Sequence, residues 1–205
     1  MEKEQFYAFG SKLVLSTIQA YAFGLNDTAD ENDDTRKLMR GDYSGISFPV
    51  QFKQEYGKKL RDILDTGDGS FHLISDNLKQ ILEENKFTGR KAFPVKIYDK
   101  KGKEITGYHG LSVTGKSNGP IYKRSEIIEK RLVAHGPICR YYKGMHIDGW
   151  DGSDFFTPDT TTYIIITKQV TEILKKNKIT NVHLRSLDEI EISVRYTKNS
   201  TILLR

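Results

Sequence analysis

The densest cluster of side chains able to do chemistry is His146, Asp148, Asp151 and Asp154, with Trp150 among them. An imidazole and three carboxylates in so short a stretch suggest a cation first. A calcium loop takes oxygen ligands at alternate positions and closes on a bidentate Glu at its twelfth. Here the acids recur every third residue from Asp148, and no Glu closes the set. A zinc site needs more His or Cys nearby than this stretch holds. Two other roles fit. Asp side chains that accept backbone N–H groups build turns, and MHIDGWDGSDFFTPDT is rich in Gly and Asp. A Trp flanked by carboxylates also makes an anchor for a protein partner if it is exposed. These five residues, with Tyr108 and His109, form the candidate partner-binding set; none is assigned to a metal or to catalysis.

Other chemistry is thinner. His109, in Tyr108-His109-Gly110, has the side chain of a general base, but His72, His135 and His183 are scattered singly. The chain has no G-x-S-x-G and no evident partner for its one cysteine, Cys139, so no nucleophile-plus-base set is identifiable. Gly110 to Ser117 reads GLSVTGKS and matches the letters of a phosphate-binding loop. A true loop of that kind opens a helix at its Lys. Here Ser117-Asn118-Gly119-Pro120 breaks any helix, and Leu111 and Val113 read as strand. The expectation is a non-enzyme with no cofactor. A nucleotide-using enzyme through Gly110–Ser117 and a nucleic-acid module using the basic C-terminal half stand as alternatives.

Composition bounds the setting. A chain of 205 residues needs no disulfide or metal to fold. The lone Cys139 reads as a small buried side chain in a reducing compartment. The net charge is +5, but residues 1–70 hold 9 Lys/Arg against 12 Asp/Glu while the rest holds 23 against 15. Polybasic runs are missing, so a solvated basic face is favoured over nucleic acid as a partner. No stretch reaches the ~20 apolar residues of a membrane span. The N-terminus has no apolar run of signal-peptide length. The expectation is a cytoplasmic protein without a membrane partner, its oligomeric state open.

The elements that must position these residues are those of an α+β fold. Residues 1–25 read as a strand or loop entering a helix, and the acidic stretch Asp27, Asp30, Glu31, Asp33 and Asp34 as a surface loop. Ser44 to Phe52 reads as a strand, residues 53–65 as a short helix, and Thr66 to Ser70 as a break between a 1–69 segment and a 70–205 domain. From Phe71 a strand leads to Ser75 as N-cap, an apolar face of Leu78, Ile81 and Leu82, and an end at Thr88-Gly89. Ala92–Tyr98, Gly107–Val113 and Pro137–Lys143 read as strands, with a hairpin turn at Gly102. FHLISDNLKQILEENKFTG (71–89) aligns without gaps on YIIITKQVTEILKKNKITN (163–181), an offset of 92. The pattern predicts two similar strand-helix-strand units, 71–98 and 163–196, with additional antiparallel strands.

In this order the motifs LISDNLKQILEENKFTG, FPVKIYDKKGKEITGYHGLSV, WDGSDFF and YIIITKQVTEILKKNKIT resemble a family of bacterial immunity proteins of polymorphic toxin systems, earlier grouped as a domain of unknown function. The resemblance spans roughly residues 70–196 and carries no invariant catalytic set. It implies a cognate protein toxin as the partner, neutralised by direct binding.

Overall fold

The offset of 92 is carried by the backbone as well as by the letters. The computed structural model of the chain describes residues 6–26, 33–67 and 72–194. Its first half runs β1 (Phe6–Ser11), β2 (Gln19–Phe23), α1 (Asp34–Arg40), β3 (Val50–Tyr56), β4 (Ile63–Asp65), β5 (His72–Ser75), α2 (Asp76–Glu84), β6 (Arg90–Tyr98), β7 (Glu104–Ile105), β8 (Tyr108–Val113) and β9 (Gly115–Ser117). Its second half runs β10 (Glu126–Arg131), β11 (Ile138–Lys143), β12 (Phe155–Pro158), β13 (Ile164–Thr167), α3 (Lys168–Lys176), β14 (Val182–Ser186) and β15 (Glu191–Ser193).

Units β5-α2 and β13-α3 match residue for residue at that offset. Ser75 Oγ accepts from Leu78 N–H at 3.1 Å, an N-cap that satisfies one orphan donor of the helix. Thr167 sits at the equivalent cap but makes no such bond. Both helices end on Asn: Asn85 Nδ2 donates to Ile81 O at 2.8 Å and Asn177 Nδ2 to Ile173 O at 2.9 Å. Lys86 and Lys178 then turn left-handed at φ 55° and 53°. The first helix therefore stops before the expected Thr88-Gly89; Gly89, at φ 74°, makes a second turn into β6.

Strand pairing extends the repeat. β8 lies between β5 and β6, and β1 lies between β13 and β14. His72 pairs with Leu111 and Arg90 with Val113, while Ile164 pairs with Phe9 and Val182 with Ser11, so β1 takes the place of β8. β4 joins β5 (Ile63↔Ile74) as β12 joins β13 (Phe155↔Ile166). Each unit then gives a strand to the other. β9 follows β8 yet runs parallel to β12; β2 follows β1 yet runs parallel to β4. The connectivity is pseudo-two-fold, and the N-terminal β1 completes the C-terminal unit.

Strand β3 breaks the equivalence. It pairs with β2 and, in parallel, with β6, which closes β2, β3, β4, β5, β6 and β8 into a six-stranded barrel. The sheet β14-β1-β13-β12-β9 stays open, and β10-β11-β15 form a third sheet.

Three cores result. The central one lies between the units and uses equivalent side chains from each: Ile63 and Phe155, Ile74 and Ile166, Leu78 and Val170, Leu82 and Leu174. Phe52, Leu64, Leu73, Phe93 and Ile97 fill the barrel, with Leu38 of α1 packed among them. Phe6, Met145, Ile147, Phe156 and Ile165 build the third on the open sheet. Each fully buried side chain of this kind contributes about 1.5–3 kcal/mol.

Several expectations are corrected. Residues 53–65 form no helix: β3 runs to Tyr56, Gly57 turns at φ 71°, and β4 begins at Ile63. The strand expected from Ser44 begins at Val50. The expected helix in the first 25 residues is strands β1 and β2. The break at 66–70 separates no sheets, since β1 belongs with β13 and β14 and β2 to β4 with β5. Asp27, Asp30, Glu31, Phe71 and residues 195–196 lie outside the described residues. Of the acidic stretch, Asp33 caps α1, accepting from Thr35 N–H at 2.8 Å, and Asp34 accepts from Asn26 N–H at 2.8 Å.

Candidate partner-binding surface

The loop before β12 holds the sequence's richest cluster, and most of its polar groups are used inside the fold. Asp148 Oδ1 accepts from Asn118 Nδ2 at 2.9 Å. Asp151 accepts from Lys116 N–H at 2.8 Å and Ser153 N–H at 2.9 Å. Burial pushes the Asp151 carboxyl up, but those backbone donors outweigh it and hold the group below its ordinary range. Asp154 accepts from Thr88 N–H at 2.9 Å and from the Thr88 hydroxyl at 3.0 Å. His146 is half-buried, and its carbonyl accepts from Ile121 N–H at 2.8 Å. The carboxylates thus pin the loop to β9 and to the exit of α2, the turn-building role that Asp spacing allows.

Trp150 is not the fully exposed side chain on which the anchor reading is conditioned. It is half-buried, its Nε1 donates to Ser153 O at 2.8 Å, and its ring meets Phe6 edge-on at 5.0 Å. Its ring packs against the third core.

Tyr108 and His109 belong to the other unit. The Tyr108 hydroxyl donates to Arg61 O at 2.9 Å; burial, with the Asp62 charge adding to it, pushes its pKa up to about 12. His109 Nε2 meets Asp76 Oδ1 at 2.7 Å, and no hydroxyl or thiol bonds to His109 among the described residues. The pair has the base and its orienting acid without a nucleophile.

The stretch Gly110–Ser117 is two strands, β8 and β9, with no helix opening at Lys116. Its glycines serve packing: a Cβ on Gly110 would meet the Phe93 ring at 2.0 Å, and one on Gly115 the Phe155 carbonyl oxygen at 2.2 Å. Backbone N–H groups paired across strands are not free to cradle a phosphate. Cys139, expected buried, is half-buried on β11. Among the described residues no three His, Cys, Asp or Glu side chains gather as a metal site requires, and no helix is long and apolar enough to cross a membrane.

The exposed apolar side chains were the missed signal. Leu13 and Leu15, each 92% exposed, stand on the β1–β2 connector. Tyr56 and Leu60 are exposed between β3 and β4; Ile127, Leu132, Val133 and Ile138 are exposed on the β10–β11 hairpin and its turn. Apart from Tyr21 and Phe23 on the exchanged strand β2, every large exposed apolar residue among those described lies outside the repeated elements β4-β5-α2-β6-β8 and β12-β13-α3-β14-β1. The run Leu13-Val14-Leu15, set between Lys12 and Ser16, is an unbroken apolar triplet in the sequence. No protein-family model matches the chain, and no curated protein matches it in sequence.

Proposed function

We propose that this protein is a non-catalytic binding protein, an immunity protein that neutralises a cognate toxin of a bacterial polymorphic toxin system by covering part of its surface in the cytoplasm. One observation carries the binding part. The repeated units bury their apolar faces against one another, while the added elements hold Leu13, Leu15, Leu132 and Val133 out in water. Leu13 and Leu15 stand on one connector and Leu132 and Val133 on one turn, and each is a local apolar patch of the kind that interaction surfaces use. The toxin as partner rests on the motif resemblance over residues 70–196.

Capture of partners by tagged protein from its native lysate, read by mass spectrometry, tests the reading. A stoichiometric large protein with a C-terminal toxin domain is the expected result. Recovery of nucleotide or nucleic acid with no protein would overturn it.

A further inference from the structure

Among the described strands with a neighbour on one side only, β10 is the longest, at six residues. Its ladder with β11 runs through consecutive pairs from Glu126↔Lys143 to Arg131↔Ile138 without a register shift. Among the described residues no backbone bond from another element reaches 126–131. Alternate residues on the outer side of β10 therefore turn N–H and C=O groups to solvent, the arrangement that accepts a further strand.

Open edges are ordinarily blunted by charge, a bulge or proline. β10 reads EIIEKR, with no proline and four charges. Three of the four have partners within the chain. Glu129 accepts from Arg140 Nε at 2.7 Å. Lys130 meets Glu191 of β15 and lies over the Tyr141 ring at 4.7 Å. Arg131 donates to the Gly136 carbonyl. Glu126 is exposed and has no Lys or Arg nitrogen within 4 Å among the described residues, although Lys143 stands opposite it in the ladder.

We propose that β10 pairs edge to edge with β10 of a second copy of this chain, antiparallel about a two-fold axis at Ile128. A closed two-fold contact sets residue i against j and j against i. Opposite residues of an antiparallel ladder also share a face and a bonding pattern, so the axis falls where one residue faces its own copy. Centred on Glu126, Glu129, Lys130 or Arg131, the pairing sets a charge against itself. Centred on Ile127, it sets Glu126 against Ile128 and Arg124 against Lys130. Centred on Ile128, it sets Ile128 on Ile128 and Glu126 against Lys130 on both sides of the axis. Opposite charges across strands attract and like charges repel, so the charges that disfavour the other centres select this one. The Lys130 ammonium has three donors and can hold Glu191 together with the incoming Glu126. The third sheet then continues through both copies as six strands. Leu132 and Val133 lie past the paired stretch, and the inference stands independently of the toxin reading.

Sedimentation velocity of the full chain reads the association. One strand edge makes a small interface, so the dimer should be weak and should grow in between about 10 μM and about 1 mM. Glu126→Lys and Lys130→Glu should each weaken it by about tenfold or more, because the two-fold turns two attractive pairs into two repulsive ones. An equimolar mixture of the two variants should regain the association of the parent chain, since each then meets the opposite charge on the other. Ile128→Cys in a Cys139→Ser background should cross-link to itself on mild oxidation, as opposite residues of an antiparallel pair stand within disulfide reach. Glu126→Cys in that background should cross-link to itself far more slowly, its two copies standing four residues out of register. The cross-linking pair leaves Lys130 and its bond to Glu191 in place, so it decides even where Lys130→Glu disturbs the fold. A monomer throughout the concentration range would overturn the proposal. So would single variants that gain nothing on mixing while folded, or faster self-cross-linking through Glu126→Cys than through Ile128→Cys.

Discussion

Asp62 and Asp154, separated by the repeat offset of 92, fasten the two units by the same bonds made in opposite directions. Asp62 Oδ2 accepts from Thr180 N–H at 2.9 Å and the Thr180 hydroxyl at 2.7 Å, while its Oδ1 accepts from the Ser75 hydroxyl at 2.8 Å. Asp154 Oδ2 accepts from Thr88 N–H and hydroxyl at 2.9 and 3.0 Å, and its Oδ1 from the Thr167 hydroxyl at 3.3 Å. Each carboxylate holds the helix-entry residue of its own unit and the helix-exit threonine of the other. The exchanged strands β2 and β9 cross between the units, and these clasps fix where the two helices stand across the central core.

Removal of either clasp should therefore cost similar stability. Asp62→Ala and Asp154→Ala each strand several donors, and each should destabilise the protein by about 2 kcal/mol. Urea unfolding with linear extrapolation measures this. A loss under about 0.5 kcal/mol, the level of an ordinary surface substitution, would show that the clasps are incidental.

The first clasp also predicts an acid response. Burial pushes the Asp62 carboxyl up, yet the bonds from Thr180, Asn77 and Ser75 outweigh it and hold the group below its ordinary value. A depressed folded-state pKa gives stability that is present above the unfolded value, near ~3.9, and lost as pH falls through the folded value. Thermal midpoints should fall as pH drops below about 4, and Asp62→Asn should lower the midpoint at neutral pH while flattening that fall. A pH profile unchanged in Asp62→Asn would assign the acid loss to other carboxylates.

At the alkaline end the relevant group is Tyr108. Its pKa is raised to about 12 by burial, with the Asp62 charge adding to it. The sign is that of an acid kept neutral: the contribution is complete below the unfolded value near ~10 and is lost as pH rises through the folded value. Absorbance titration of the phenolates should show a late step near the raised value that Tyr108→Phe removes. Persistence of that step in the variant would place it on another of the eleven tyrosines.

Local signals explain what could be read in the chain and what could not. The strand, cap and apolar face of α2 and α3 sit within contiguous stretches, so the offset between them was legible. β1 was not, because the strands that flank it, β13 and β14, lie at the far end of the chain, beyond any local period. Residues 53–65, KQEYGKKLRDILD, carry good helix formers, but pairing of β3 with both β2 and β6 closes the barrel and overrides that preference. The Asp62–Asp154 equivalence lies ahead of the aligned segments, marked only by two apolar residues after each Asp, Ile63-Leu64 and Phe155-Phe156. The half-burial of Trp150 was not legible either, because Phe6, which packs against it, is remote in sequence.

The exposed residues allow stability and binding to be separated by substitution. Leu13 and Leu15 are each 92% exposed, so Leu13→Ser with Leu15→Ser should leave the unfolding free energy within about 0.5 kcal/mol of the parent protein. Leu132 and Val133, at 68% and 65%, should tolerate Leu132→Ser with Val133→Ser equally well. Binding should divide the pairs. If the connector meets the partner, the first pair loses partner capture by tenfold or more, because truncation of buried interface anchors costs about 2 kcal/mol or more. Loss with the second pair alone would move the interface to the β10–β11 hairpin and leave the connector without a role. Full capture by both pairs, with both variants folded, would mean that the partner meets neither surface, and the reading built on the exposed side chains would fall.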